Sequence, residues 1–203
     1  RATQAAGALL VIDEVMTGFG RLGTLFAIEQ AGIVPDVVAL SKGITGGTLA
    51  LGATVTTPRL YETFLSERME TAFLHGHSYT GNPLACAAGV ASLQLFETED
   101  TLANVASWAP RYRQAVDRWL GDDRLTRPRY RGGILAVDVV GGPGGYLDPV
   151  GRRVKAAALN RRLHLRPLGD TLFLMPPLAT PVGELAWAVD QLEAAIDEVL
   201  DAS

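Results

Sequence analysis

Apolar and polar positions fall in blocks along this chain, and the blocks predict its elements. Leu9 to Asp13 is a short apolar run that ends in a carboxylate. That is the pattern of a parallel strand buried on both faces. Val37 to Leu40 is a second such run, introduced by Pro35-Asp36 and followed by Ser41-Lys42-Gly43. Between them, Thr17 to Gly23 is a loop by glycine density, and Thr24 to Ala31 has helical spacing that stops at Gly32. The unit is strand, loop with helix, strand. Asp13 and Lys42 are 29 residues apart, which suits a right-handed crossover between parallel strands. Both residues then stand at strand carboxyl ends, where open α/β sheets bind ligands.

Outside this unit the pattern is as follows. Arg1 to Ala8 reads as the end of a helix closed by Gly7. Gly43 to Leu51 is a glycine-rich turn, Ala53 to Thr57 a third strand stopped by Pro58, and Arg59 to Arg68 a helix. His75 to Asn82 is a polar loop feeding an alanine-rich helix to about Glu97, with Asn82 as N-cap and Pro83 first. Small side chains on that helix let another backbone pack closely. Composition shifts near Glu97 to Asp100, so the chain divides into 1–97 and 98–203. Helices flank Pro110, Arg131 to Val140 is a strand, and Gly141 to Pro149 is a flexible loop. Val150 to Arg162 is a basic amphipathic helix. His164 to Pro167 and Thr171 to Pro177 form a strand pair, and Thr180 caps a final helix from Pro181 to about Leu200. The class is α/β.

Composition narrows the functions. A net charge of -4 and a pI near 5.4 argue against nucleic acid or an anionic membrane as partner. No apolar run approaches the roughly 20 residues of a membrane span. The single cysteine, Cys86, excludes an internal disulfide, suits a reducing compartment, and reads as a buried small side chain. The chain begins at Arg1 rather than Met and is expected to start partway through a longer protein.

Lys42 is the sharpest chemical signal. A lysine at a crowded strand end can be desolvated, which favours the neutral amine and makes it a nucleophile for an aldehyde. The plain alternative is a surface lysine. Asp13-Glu14 admits three readings: a metal-binding carboxylate of a nucleotide-hydrolysing enzyme, a partner for a protonated pyridine nitrogen, or a cap on the next turn. No Gly-x-x-x-x-Gly-Lys-Ser/Thr loop accompanies it. The loop with Ser78, Tyr79 and Thr80 offers hydroxyls beside a helix N-terminus, a natural phosphate acceptor; an ordinary capped turn is the alternative. His75 and His77 sit two apart without cysteine or carboxylate neighbours, so no metal is assigned. Arg166 in an apolar stretch is either a clamp for a substrate carboxylate or a salt-bridged structural arginine.

These pieces, in this order, resemble the class III pyridoxal-phosphate aminotransferases. The resemblance is carried by Leu10-Val-Ile-Asp13-Glu-Val, Gly18-Phe-Gly-Arg21, Pro35-Asp36, Ser41-Lys42-Gly43 and His75-Gly-His-Ser-Tyr-Thr-Gly-Asn-Pro-Leu-Ala-Cys-Ala87. Lys42-Gly-Ile-Thr-Gly-Gly-Thr48 and Leu165-Arg-Pro-Leu-Gly-Asp170 resemble the branch of that family serving biotin synthesis. The resemblance implies the type I fold of PLP-dependent transferases, with 1–97 in the large cofactor domain and 98–203 as the small domain. It implies pyridoxal 5'-phosphate as cofactor. Lys42 would carry the Schiff base and move the proton, and Asp13 would pair with the pyridine nitrogen. Ser78 and the backbone around His77 would hold the phosphate of a neighbouring subunit's cofactor. Gly76 would line the substrate pocket, and Arg166 would bind a keto-acid carboxylate. A cytoplasmic homodimer with shared sites is implied, with a small keto acid and an amino donor as substrates. The family's N-terminal half holds a second phosphate loop and the aromatic that stacks on the ring. Without it, the isolated chain is expected to bind cofactor weakly and turn over poorly.

Overall fold

The computed structural model describes residues 2–140 and 147–202. It divides into two compact units, Arg1–Asp100 and Thr101–Ser203. Most of the predicted loop from Gly141 lies outside the described residues.

The first unit opens with helix α1 (Ala2–Ala5) and carries a three-stranded sheet, β1 (Val11–Asp13), β2 (Val37–Leu40) and β3 (Ala53–Thr56), in that order. β1 and β2 are parallel, with Asp13 opposite Ala39, and the short helix α2 (Ala27–Ala31) lies in the crossover. Gly32 ends α2 in a left-handed conformation, φ 59°. β3 returns antiparallel to β2. Pro58 begins helix α3 (Pro58–Glu62), half the length its sequence suggested; a 3-10 turn follows at Met69–Thr71, past the end of the expected helix. Helix α4 (Pro83–Thr98) starts as predicted: Asn82 Oδ1 accepts hydrogen bonds from the amides of Leu84 and Ala85, at 2.9 and 3.2 Å.

Two further expectations fail in this unit. β1 is not buried on both faces, since Val11 is 61% exposed. The described elements cover this sheet incompletely. Cys86 is also exposed rather than buried, because the buried stripe of α4 is Ala85, Gly89 and Ser92. That stripe follows helical spacing, and the residue next to Ala85 falls off it.

The second unit is built around one apolar cluster. Helices α5 (Thr101–Ser107) and α6 (Ala109–Trp119) come first, with Pro110 in the first turn of α6, where its missing N–H costs nothing. Strands β4 (Leu125–Arg131) and β5 (Ile134–Val139) form a hairpin through Gly132-Gly133. Helix α7 (Val150–Asn160), strand β6 (Thr171–Leu174) and helix α8 (Val182–Asp201) complete it. β5 is central and antiparallel to both neighbours. Trp108, Tyr112, Leu135, Val137, Val154, Leu172, Leu185, Leu192 and Ile196 fill the core.

Three sequence readings change here. β4 went unpredicted because Leu-Thr-Arg-Pro-Arg-Tyr-Arg looks too polar and carries Pro128. As an edge strand with a bulge between Thr126 and Arg129 it tolerates both. Residues 164–167 are not a strand; only Leu168 bridges to Thr171, across a tight turn with Gly169 at φ 63°. Pro167 has no N–H to give a ladder. Thr180 does not cap α8, whose N-cap is Pro181; its carbonyl accepts from Asn104 Nδ2 at 3.0 Å.

Asp138 sits on β5 almost wholly buried, and its ion pairs with Arg127 (2.7 Å) and Arg129 (3.1 Å) explain why. Burial pushes its carboxyl up, but the Thr171 hydroxyl and the two guanidinium groups outweigh that and hold it below its ordinary value. Its charge is committed to the sheet. Truncation of Leu192, fully buried on α8, to alanine should cost about 2–5 kcal/mol in urea unfolding. The same change at exposed Leu159 should stay within about 0.5 kcal/mol.

Candidate active site

Asp36 fixes the start of both parallel strands. Its amide donates to the Leu10 carbonyl (2.9 Å), its carboxylate accepts the Leu10 amide (2.9 Å), and Arg59 pairs with its other oxygen at 2.9 Å. At the far end the Glu14 amide donates to the Ala39 carbonyl at 3.0 Å. The ends of β1 and β2 therefore leave the sheet side by side, one with Asp13 and the other leading into Lys42.

The two neighbouring acids at the end of β1 have different fates. Glu14 is fully buried and accepts the Thr17 hydroxyl and the Ile28 amide, the latter at 2.8 Å. It thereby ties the glycine loop and the start of α2 to the strand. This is the capping role weighed above, taken by Glu14. Asp13 is exposed, and its Oδ1 accepts the Val15 amide at 2.8 Å. That bond orients the carboxylate and leaves it accessible.

Lys42 opens a 3-10 turn (Lys42–Thr45) and holds a left-handed backbone, φ 46°. The turn is pinned by side chains around it. Ser41 Oγ donates to the Leu51 carbonyl (2.7 Å), Thr45 Oγ1 to the Leu49 carbonyl (2.6 Å), and Ser92 Oγ to the Gly43 carbonyl (3.3 Å). The small stripe of α4 rests directly on this turn: a Cβ at Gly89 would lie 3.4 Å from Leu51 and 3.5 Å from the Ile44 carbonyl. This is the close backbone packing that the alanine-rich sequence suggested. The desolvation expected of Lys42 is not found, for its side chain is exposed. The turn is packed through Gly43, Ile44, Thr45 and Gly46 rather than through the lysine.

The loop before α4 is folded on itself. The His77 amide donates to Thr80 Oγ1 at 3.0 Å and the Tyr79 amide to His77 Nδ1 at 3.1 Å. The Thr80 amide closes the turn onto the His77 carbonyl at 3.0 Å. The amide of His77 is thus occupied, which narrows the expected role of the backbone there. Gly76, His77 and Ser78 are exposed.

Arg166 is in the second unit, exposed, in the irregular stretch before the turn at Leu168. A contact that sequence reasoning missed fixes that stretch. Gly151, in the first turn of α7, packs so closely that a Cβ there would strike the Gly169 carbonyl and lie 2.8 Å from Pro167 Cβ. The available signal was an isolated glycine inside a helical pattern, which often has a packing reason. Glu14 gave no signal that separates it from Asp13. Among the described residues no group of three or more His, Cys, Asp or Glu could hold a metal ion.

A family model described as aminotransferase class-III matches residues 1–196. An adenosylmethionine-8-amino-7-oxononanoate aminotransferase from Synechococcus elongatus is 50% identical over 98% of this chain and 45% of its own length. The solved structure of an enzyme of that name from Methanocaldococcus jannaschii covers 97% of the chain and 47% of its own, with TM-score 0.90 and 33% identity. An amine transaminase from an uncultivated Pseudomonas species, solved in a PLP-bound (internal aldimine) form, covers 98% of the chain and 46% of its own, with TM-score 0.88 and 32% identity. The chain spans less than half the length of the curated relatives it matches.

Two predictions follow from the frame of the site. The Leu10 amide, and then Arg59, hold the Asp36 carboxyl below its ordinary value. Its contribution to stability is therefore full above about pH 4 and is lost as pH falls through the depressed value. The Tm difference between the native protein and Asp36→Asn should be widest near neutrality and shrink in acid. Gly151→Ala should lower the Tm. Its helix-propensity gain of up to about 1 kcal/mol is smaller than the cost of moving a backbone carbonyl.

Proposed function

Because the chain belongs to the class-III aminotransferase family, we propose that it forms the lysine-bearing part of a pyridoxal-phosphate enzyme that aminates 8-amino-7-oxononanoate to 7,8-diaminononanoate in biotin synthesis. The observation that carries this reading is the parallel pairing of β1 with β2, which sets an acid and an amine at adjacent strand ends. The names of the relatives matched over nearly the whole chain support the substrate, and point to S-adenosylmethionine as amino donor.

The residues suit the cofactor by their chemistry. Pyridoxal phosphate, when bound, supplies an aldehyde that captures amines and a ring that takes up electron density from an adjacent carbanion. Lys42 offers a primary amine for that aldehyde and, once released, a base to carry a proton at the substrate carbon. Asp13 offers a carboxylate, oriented by the Val15 amide, to accept a hydrogen bond from the ring nitrogen and keep it protonated. Ser78 offers its hydroxyl to the phosphate. The internal hydrogen bonds of the loop shape the path on which Ser78 sits, so His77 contributes through its ring's hold on Tyr79 and not through a free amide. Gly76 leaves room for substrate, and Arg166 provides a guanidinium for its carboxylate. The assembly is a cytoplasmic homodimer with shared sites; the single cysteine is compatible with a reducing compartment.

The intact enzyme should form 7,8-diaminononanoate from 8-amino-7-oxononanoate and S-adenosylmethionine. Product from pyruvate and an ω-amino acid instead would favour a different class III aminotransferase. Lys42→Ala should lower kcat by about a thousandfold or more, and Asp13→Asn by about a hundredfold or more. Arg166→Ala should act chiefly on the KM of the keto acid.

A further inference from the structure

The left-handed backbone of Lys42, φ 46°, lies next to a close contact made by the preceding loop. Phe19 is 4% exposed and reaches the turn from the other strand end. A Cβ built on Gly43 would lie 2.7 Å from Phe19 Cβ and 3.2 Å from two ring atoms. Gly43 is not among the glycines with positive φ. Glycine is therefore required at 43 for space and not for torsion.

The Gly43 peptide is held from two sides. Phe19 fills the space where a Gly43 side chain would stand, while the Gly43 carbonyl accepts the Ser92 hydroxyl at 3.3 Å and the Gly46 amide at 3.0 Å. Phe19 is itself fixed. Its backbone is left-handed at φ 55°, and its ring meets Phe26 edge-on at 5.4 Å. Glu14 fastens both ends of the segment through Thr17 and Ile28, and the Gly18 amide donates to the Glu14 carbonyl at 3.0 Å. A rigid line of contacts thus runs from the acid-bearing end of β1, through Phe19, to the peptide next to Lys42.

We propose that Phe19 is a positioning residue for Lys42: seated on Gly43, it keeps the lysine backbone left-handed and sets where the amine begins its reach toward the ligand. The proposal rests on the reading of Lys42 as the amine that captures the cofactor. It assigns no chemistry to Phe19, which acts only through the turn.

The test uses the intact enzyme with pyridoxal phosphate. Borohydride fixes the cofactor to the amine, and peptide mass spectrometry follows the rate of label at Lys42. Phe19→Ala and Gly43→Ala should each slow labelling and kcat by about tenfold to a hundredfold, the range expected for misplacing a reacting group by about 1 Å. KM for the keto acid should change by less than about twofold, and Phe19→Leu should retain most of the rate. The pair Phe19→Gly with Gly43→Ala, which clears the β-carbon and ring that the new methyl would strike, should recover rate over Gly43→Ala alone. Such non-additivity marks direct contact. Thermal melting identifies variants that fail to fold; if Phe19→Ala does, the Gly43→Ala and paired variants decide. No label at Lys42 in the unsubstituted enzyme overturns the functional reading and this proposal with it. Normal label there, with unchanged rates in folded Phe19→Ala and Gly43→Ala, overturns this proposal alone.

Discussion

The pairing register of β1 with β2 is the constraint on which the candidate site depends. Side chains alternate faces along a strand, so a slip of one residue would exchange Asp13 for Ile12 or Glu14 at the strand end. Three-residue β1 is too short to fix register by its own side chains. Asp36 does it instead, by engaging both the amide and the carbonyl of Leu10. A polar residue at the opening of the unit thus decides which acid arrives at its far end.

The acids of this chain divide by what surrounds them rather than by type. Glu14 and Asp138 are buried, and each has its lone pairs met by nearby donors: amide and hydroxyl at Glu14, two guanidinium groups at Asp138. Such groups hold structure, because freeing them would expose a costly unpaired charge. Asp13 receives one amide on one oxygen and remains accessible. An oriented but open carboxylate is the arrangement a bound cation or a protonated ring requires.

Much of this was legible in the sequence where local rules agree with tertiary ones. The start of α4 is spelled out by Asn82-Pro83, since cap chemistry is local. The β1–α2–β2 unit is spelled out by two apolar runs with a glycine stop between them. Legibility fails where a neighbour decides. β4 reads as polar because an edge strand may keep its arginines in water. The face of Cys86 on α4 depends on which stripe meets the Lys42 turn. Glu14 and Asp13 are chemically near-identical neighbours, and the positions of Thr17 and of Ile28, fourteen residues on, separate them. The irregular stretch before Leu168 follows from Gly151 on another element.

The choice of residue at left-handed positions carries the same logic to the site itself. Gly46 and Gly47, just past Lys42, have φ of 60° and 83°, and glycine meets that demand at no steric cost. Lys42 and Phe19 meet the same demand with full side chains, each at a cost of roughly 1–2 kcal/mol. In two loops where glycine is so freely used, these departures from it need a reason. At Phe19 the reason is visible, because its ring is buried against Gly43 and Phe26. Lys42 is exposed and gains no such packing. A strained backbone under an exposed amine is explained when the amine itself is what the turn exists to present.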